Sequence, residues 1–436
     1  MRRTFLGGVH MNEHKNTAKS PIETITPPEY VAIPMQQHIG APCKPLVNIG
    51  DTVLIGQKIG DNPTALSCPI HSSISGTVER MEKRLTTNGS FVEYIVIKND
   101  YKGAVSSELA PHTILLGDTS SEKIIQKVRE AGVVGMGGAS FPTYAKIQSA
   151  IGKASVIIIN CAECEPYLTI NHRLMLEHPE EIINGTKILM RAAKIKKAII
   201  AIEDNKLDAA EKIADNITDH SLIDVEVFKT KYPQGDERQL IYALSGIELK
   251  QGQLPADVGF VIFNAESCAV IYNAFTTGMP LVSKLITVDG ECMKSPKNLS
   301  VPIGISFKDI IDFCGGLTHN CDRIITGGPM MGVAQWDLNS VAIKATGAIL
   351  ALPALTETEP HCIRCGRCVR ACQMHLLPAL LAQYASINDF DMCKELNIMS
   401  CVECGCCTYI CPGKVPIVQH IRNAKQELRA RQALKK

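Results

Sequence analysis

The sequence contains no unbroken apolar run near the roughly 18 residues that a membrane-spanning helix requires. Its opening, "MRRTFLGGVHMNEHKN", carries two arginines but no apolar stretch behind them that could act as an export signal. The formal net charge is +1, so no charge excess favours nucleic acid or a charged membrane face. These absences lead to the expectation of a cytoplasmic protein that does not bind nucleic acid and meets a membrane only through partners. At 436 residues the chain exceeds one simple core, and two to four domains are expected.

Cysteine is what the sequence has in excess. There are 18, and without an export signal they point to a reducing compartment, not to disulfides. Nine fall in two runs near one end, "CIRCGRCVRACQM" from Cys362 and "CVECGCCTYICPG" from Cys401. Each run contains C-x2-C-x2-C-x3-C, which gathers four soft thiolates around one small volume and suits a [4Fe–4S] cube. Pro412 completes the usual bacterial pattern in the second run, whereas Gln373 replaces that proline in the first. In two-cluster proteins the fourth cysteine of each run ligates the other run's cluster. One site is therefore expected to take Cys362, Cys365, Cys368 and Cys411, and the other Cys401, Cys404, Cys407 and Cys372. Cys406 and Cys393 are left over. The competing reading is two structural zinc sites of four cysteines each, although zinc usually draws on paired C-x2-C knuckles set far apart. Paired clusters carry single electrons, so the upstream chain should contain their source.

The pattern along the chain changes several times. Residues 31–115 read as short strands broken by glycines, in the manner of a small β-sandwich. They resemble the barrel-sandwich hybrid of biotinyl and lipoyl carriers. The stretch "LSCPIHSSISG" offers no lysine for modification between the halves, and a structural role is the better reading. Residues 116–278 alternate helices and strands, which implies a parallel sheet with a Rossmann-like layout. Residues 279–350 read as a hairpin followed by a helix, a β-grasp module. Residues 351–436 combine the cysteine runs with helical sequence and a closing basic helix. Residues 1–30 remain as an N-terminal arm.

In the α/β unit, "GVVGMGGASFPTYAKI" places Gly135, Gly137 and Gly138 where backbone amides could approach a phosphate. The dinucleotide fingerprint fails here, because Ser140 holds the third glycine position and a helix precedes the loop. A structural turn remains open for the loop taken alone. Glu163 and Glu165 follow the strand "SVIIIN", at the end where open α/β sheets bind ligands. An acidic residue there suits a ribose. "YPQGDERQLIYAL" sets Asp236 and Glu237 at a helix start, where acids also serve as caps. Asn264 and Ser267 in "FNAESCAV" could donate to a ribityl chain or flavin edge. Lys146 is the obvious cation for a flavin phosphate, with a solvated helix lysine as the alternative.

The stretches "GMGGASFPTYAK", "NCAECEPYLTINHRLMLEHP" and "YPQGDERQLIYALSG", with the paired cysteine runs, resemble the RnfC family of the Rnf electron-transport complex. "FLGGVHMNEHKN" and "QQHIGAPCKPLVNIGD" extend the likeness over nearly the whole chain. The resemblance implies four parts: a barrel-sandwich hybrid, a flavin and NADH domain, a soluble-ligand-binding β-grasp and a helical two-[4Fe–4S] domain. It implies non-covalent FMN held by Gly135, Gly137, Gly138, Lys146, Asn160, Asn264 and Ser267. NADH would lie against it, with Phe141 stacking and Glu165 and Glu237 accepting hydrogen bonds. Electrons would pass from FMN to the Cys362 site and then to the Cys401 site. The implied setting is the cytoplasmic face of the membrane, among other Rnf subunits including membrane-spanning ones, with ferredoxin reached indirectly and Na+ or H+ translocation coupled. Ala162 stands where related flavoproteins have an aspartate. The alternatives are a soluble paralogue feeding another reductase, such as a proline reductase, a cluster-only electron-transfer adaptor, and a ligand-sensing scaffold built on the β-grasp module, which would leave the clusters unexplained. Cys161 and Cys164 are either redox-active or buried structural thiols.

Overall fold

The computed structural model describes residues 3–87, 89–109, 119–355 and 359–433. The expected boundary at residues 115 and 116 lies outside them. Two small antiparallel sheets come first. One joins Tyr30–Pro34, Phe91–Asn99, Gly76–Leu85 and Thr52–Val53, and the other Lys44–Pro45, Lys58–Asp61 and Ile70–His71. Alternate residues of the strands, Val31 with Ile33 and Ile95 with Ile97, turn into one core shared with Ile59 and Ile70 of the second sheet. This is the expected sandwich.

The α/β unit contains a four-stranded sheet in which every pairing is parallel. Its order across the sheet is Ile223–Phe228, Lys197–Glu203, Val156–Asn160 and Phe260–Asn264. The central strands are almost wholly apolar, as expected where helices cover both faces. In chain order these strands run third, second, first, fourth, so the direction of winding reverses between Val156–Asn160 and Phe260–Asn264. At such a reversal the flanking connections leave in opposite directions and a crevice opens at the strands' carboxyl ends.

A six-stranded sheet forms the β-grasp unit. Ser283–Asp289 and Lys297–Pro302 make the expected hairpin, and the helix Phe307–Phe313 follows it. Ala348–Pro353, Cys321–Thr326 and Val333–Gln335 extend the sheet on one side. On the other side Ile22–Thr24, from the expected arm, adds a parallel edge strand to Lys297–Pro302. Residues 22–24 are thus built into this sheet and are not a free extension. The cysteine-rich part is helical, with Pro378–Ser386, Phe390–Glu395 and Ile417–Ala433 framing short helices within each run. The closing helix buries Ile417, Ile421, Ala424 and Leu428, one stripe at helical spacing. Among the described residues no helix is long and apolar enough to cross a membrane.

The helices Pro179–Ala193 and Ala265–Thr276 approach closely at Gly185, where a β-carbon would collide with the carbonyl oxygen of Cys268. That contact fixes the helix carrying Ser267 against its neighbour. Gly185→Ala should therefore destabilise the protein by about 3 kcal/mol, since backbone cannot yield as a side-chain tip can. The denaturant midpoint of anaerobically purified protein measures this.

Candidate functional site

Asn160 and Asn264 are register partners at the last positions of the two strands flanking the reversal. Each side chain has a defined task. The Asn264 side-chain oxygen accepts from the Glu266 amide at 2.9 Å and caps the helix that follows. The Asn160 side-chain amide donates to the Gly235 carbonyl at 2.8 Å, and its oxygen accepts from the Ala162 amide at 3.1 Å.

The glycine loop lies over this pair. The Gly135 amide donates to the Phe141 carbonyl at 2.9 Å, closing the loop on itself. The Ser267 hydroxyl donates to the Val134 carbonyl at 3.1 Å and accepts from the Met136 amide at 3.4 Å. A β-carbon on Gly137 would lie 2.6 Å from the Asn264 side-chain nitrogen, so any larger residue there would have to displace that side chain. At Gly138 a β-carbon would meet nothing within 4 Å, and that stretch of backbone faces open space. The structure thus brings Gly135, Gly137, Gly138, Asn160, Asn264 and Ser267 to one crevice. Two residues not singled out as ligands from the sequence join them. The Ser140 hydroxyl and both amide atoms of Gln234 are buried without a hydrogen-bond partner among the described residues. Buried polar atoms are rarely left unpaired, and those of Ser140 in the glycine loop and of Gln234, which precedes the Gly235 that holds Asn160, would suit a polar ligand such as FMN. Their signal in the sequence was a serine in place of the third glycine and a glutamine inside "YPQGDER".

The expected charged and aromatic residues divide between two places. Lys146 forms an ion pair with Glu237, so the expected phosphate cation and one expected NADH contact neutralise each other in this state. Asp236 caps the helix Glu237–Ser245 by accepting from the Arg238 and Gln239 amides. Phe141 is 37% exposed on the glycine loop, leaving its ring free to stack. Glu165 lies elsewhere. Its carboxylate accepts from the Met330 and Met331 amides, each at 3.0 Å, on a turn of the β-grasp unit. Glu163 is buried and accepts from the Asn171 amide at 2.9 Å, so it starts the next helix and is not free for a ribose. Burial raises the pKa values of the Cys161 and Cys164 thiols, which holds both in the unreactive protonated form. The Cys164 sulfur accepts from the Gly235 amide at 3.5 Å.

The two cysteine runs converge. One small cavity is walled by Cys372, Cys401, Cys404 and Cys407, with apolar Leu381 and Ile421 behind them. The fourth cysteine of the first run therefore stands among the first three of the second. Cys411 lies close enough to Cys368 to act on it electrostatically. Cys362 and Cys365 are exposed. Cys406 also lines the cavity, but its thiol donates to the Tyr232 carbonyl at 3.9 Å. Among the described residues no three acidic, histidine or cysteine side chains are grouped as a ready site for a single metal ion.

Three family models match the chain. They describe an RnfC barrel-sandwich hybrid domain over residues 3–102, a Nuo51 FMN-binding domain over 128–273 and an SLBB domain over 285–334. The C component of the Na+-translocating ferredoxin:NAD+ oxidoreductase complex of Acetobacterium woodii is 41% identical over 98% of this chain and 97% of its own length. The chain belongs to the RnfC family. Another member, the C component of the proton-translocating ferredoxin:NAD+ oxidoreductase complex of Clostridium ljungdahlii, is 42% identical over 99% of this chain and 95% of its own. The RnfC-family relative from Vibrio cholerae is 36% identical over 98% of this chain, which spans 56% of that longer protein. Among solved structures, an NAD+-reducing [NiFe]-hydrogenase in its H2-reduced state shares the fold. It has a TM-score of 0.51 at 17% identity, and the match covers 72% of this chain and 63% of that one.

In this RnfC-family chain Glu165 has an electrostatic signature that can be measured. Burial pushes its carboxyl up to about 7, against the opposing pull of the Met330 and Met331 amides and of Lys15. The folded state thus holds a proton more tightly than the unfolded chain, whose carboxyl titrates near the ordinary value of 4.5. The resulting stability is complete below about 4.5 and is lost as the pH rises through about 7. Relative to Glu165→Gln, the parent protein should lose stability between these values and run parallel to it above them. Denaturation at fixed cofactor content across that range measures the difference.

Proposed function

We propose that this protein is the NADH-handling subunit of a membrane-bound complex that exchanges electrons between NAD and ferredoxin, coupled to Na+ or H+ translocation. It would sit peripherally on the cytoplasmic face and rely on other subunits, membrane-spanning ones among them, for the ion path. The observation that carries this reading is the joining of two sites: a crevice with orphaned polar atoms at the sheet reversal, and the thiol-walled cavity beside it.

Gly135, Gly137, Gly138 and Ser140 would hold the phosphate end of FMN, with Asn160, Asn264, Ser267 and Gln234 supplying polar contacts. Lys146 would turn from Glu237 toward the phosphate, freeing that carboxylate for the nicotinamide or ribose. Phe141 would cover the stacked rings and exclude water. NADH releases two electrons and a proton in reaching NAD+, whereas each cluster accepts one electron; FMN supplies the conversion between the two modes. No acid or base among these residues is needed for hydride transfer, so positioning dominates. Glu165, with both oxygens on β-grasp amides, would hold that unit against the site and reach NADH only by giving up those bonds.

Two [4Fe–4S] clusters would use the crossed sets, Cys401, Cys404, Cys407 with Cys372, and Cys362, Cys365, Cys368 with Cys411. Their order would be the reverse of the one expected from the sequence. The Tyr232 hydroxyl donates to the Cys404 carbonyl at 2.8 Å, and the same segment carries Gly235, bonded to Asn160. The Cys401 site would therefore lie next to the flavin crevice, while exposed Cys362 and Cys365 mark the exit. Anaerobic protein reconstituted with iron, sulfide and FMN should reduce ferricyanide and viologen with NADH; clusters without flavin uptake or NADH oxidation would leave only the adaptor reading. Cys401→Ser should abolish rapid reduction of both clusters by NADH. Cys362→Ser should leave one cluster reducible, as read by electron paramagnetic resonance. The opposite pattern would restore the order expected from the sequence.

A further inference from the structure

The segment "RTFLGGVHMNEHKN" at residues 3–16 has no assigned role in the electron path, yet it contacts the segment around Tyr232, the loop from Glu163 to Leu168 and the end of the first cysteine run. Arg3 holds Glu226 through its guanidinium at 2.9 and 3.0 Å, and its carbonyl accepts from the Lys229 amide at 2.9 Å. Val9 and Tyr232 exchange two backbone hydrogen bonds at 2.9 and 3.0 Å. The Gly8 amide crosses to the cysteine-rich part and donates to the Ala371 carbonyl at 2.9 Å, one residue before Cys372. Gly7 lies so close that a β-carbon would be 2.9 Å from the Gln373 nitrogen.

Lys15 completes the path. Its ammonium donates to the carbonyls of Glu163, Glu165 and Leu168 at 2.8, 2.9 and 2.6 Å. A lysine has three donors and no acceptor, so these bonds use all of them. Nearby, the Tyr167 amide donates to the Glu13 carbonyl at 2.9 Å, and the His14 ring stacks on Tyr167 at 4.9 Å between centroids. The loop from Glu163 to Leu168 is therefore shaped around the arm.

We propose that residues 3–16 act as a strap that sets the spacing between the flavin crevice and the Cys401 site, with Lys15 as its positioning residue. The strap binds Tyr232 by its backbone, and Tyr232 binds Cys404 by its hydroxyl. Any slackening of the arm moves the cysteine-rich part relative to Asn160 and Gly235. Electron tunnelling falls steeply with distance, so that step should respond before the flavin's reaction with NADH does. This rests on the electron path given under Proposed function.

The test uses the full chain with FMN and clusters reconstituted, comparing the parent with Lys15→Met and Lys15→Arg. Stopped-flow absorbance follows flavin and cluster reduction by NADH separately, after flavin and iron contents are determined. In Lys15→Met the ratio of cluster to flavin reduction rates should fall about tenfold, as expected for a small misplacement of reacting groups. Amide exchange in Glu163–Leu168 should rise at the same time. Lys15→Arg should restore part of the ratio, because it keeps donors but in a planar fork. An unchanged ratio at full cofactor content would overturn the strap. Loss of flavin or of NADH oxidation in the parent would instead overturn the underlying electron path. Should Lys15→Met fail to fold, Arg3→Ala frees the other end of the strap. It should raise amide exchange at Val9 and lower the same ratio, and a fixed ratio with a loosened Val9 would also overturn the proposal.

Discussion

The side chain of Asn160 holding the carbonyl of Gly235 is the contact on which the rest depends. Asn160 ends the first strand of the parallel sheet, so its position follows from a run of buried isoleucines that admits no register slip without exposing them. Gly235 belongs to the segment that begins at Tyr232, whose hydroxyl meets the second cysteine run. One hydrogen bond therefore joins the end of the sheet to the wall of the thiol cavity. The glycine loop, Asn264 and Ser267 settle against the same strand end, because the reversal of strand order opens space there.

Buried charges register the units against one another. Lys284 of the β-grasp hairpin forms an ion pair with Glu266 in the first turn of the helix Ala265–Thr276, and both side chains are almost fully buried. Glu266 also accepts from the Leu285 amide at 2.9 Å, which leaves it no freedom to slide. The fully buried ammonium of Lys344 donates to the carbonyls of Pro69 and Gly132, joining β-grasp, sandwich and α/β unit at one point. Such groups add little net stability over apolar packing, since desolvation offsets most of the attraction. What they exclude is misalignment, because a shift would leave a bare charge in the interior.

The sequence was legible wherever chemistry and periodicity are local. The matched spacing of the cysteines, and the rule that fourth ligands cross between runs, led directly to the cavity where Cys372 joins the Cys401 run. The strand end at Asn160 followed from a short apolar run, whereas the strand ending at Asn264 and the order that sets the two side by side came only from the fold. What stayed hidden depends on backbone groups. The partners of Glu165 are the amides of Met330 and Met331, and almost any residue types at those positions would supply them. The partners of Lys15 are three carbonyls, equally silent in the sequence. The edge strand Ile22–Thr24 is three residues long, too short for alternation to mark it.

The β-grasp turn also bears on why the clusters are ordered as proposed. Met330 gives its amide to Glu165, while its carbonyl lies where a β-carbon on Gly405 would come within 2.9 Å. Gly405 has φ of +81°, a conformation that glycine adopts without strain, and it falls between Cys404 and Cys407. The second run is thus clamped on one side by Tyr232 and on the other by the turn that Glu165 holds. Cys362 and Cys365 of the first run face outward instead. An electron donor must sit at a fixed distance from its first acceptor, whereas the last carrier must be reachable by something outside. The proposed order, in which the clamped run would receive the electron and the exposed run pass it on, meets both demands.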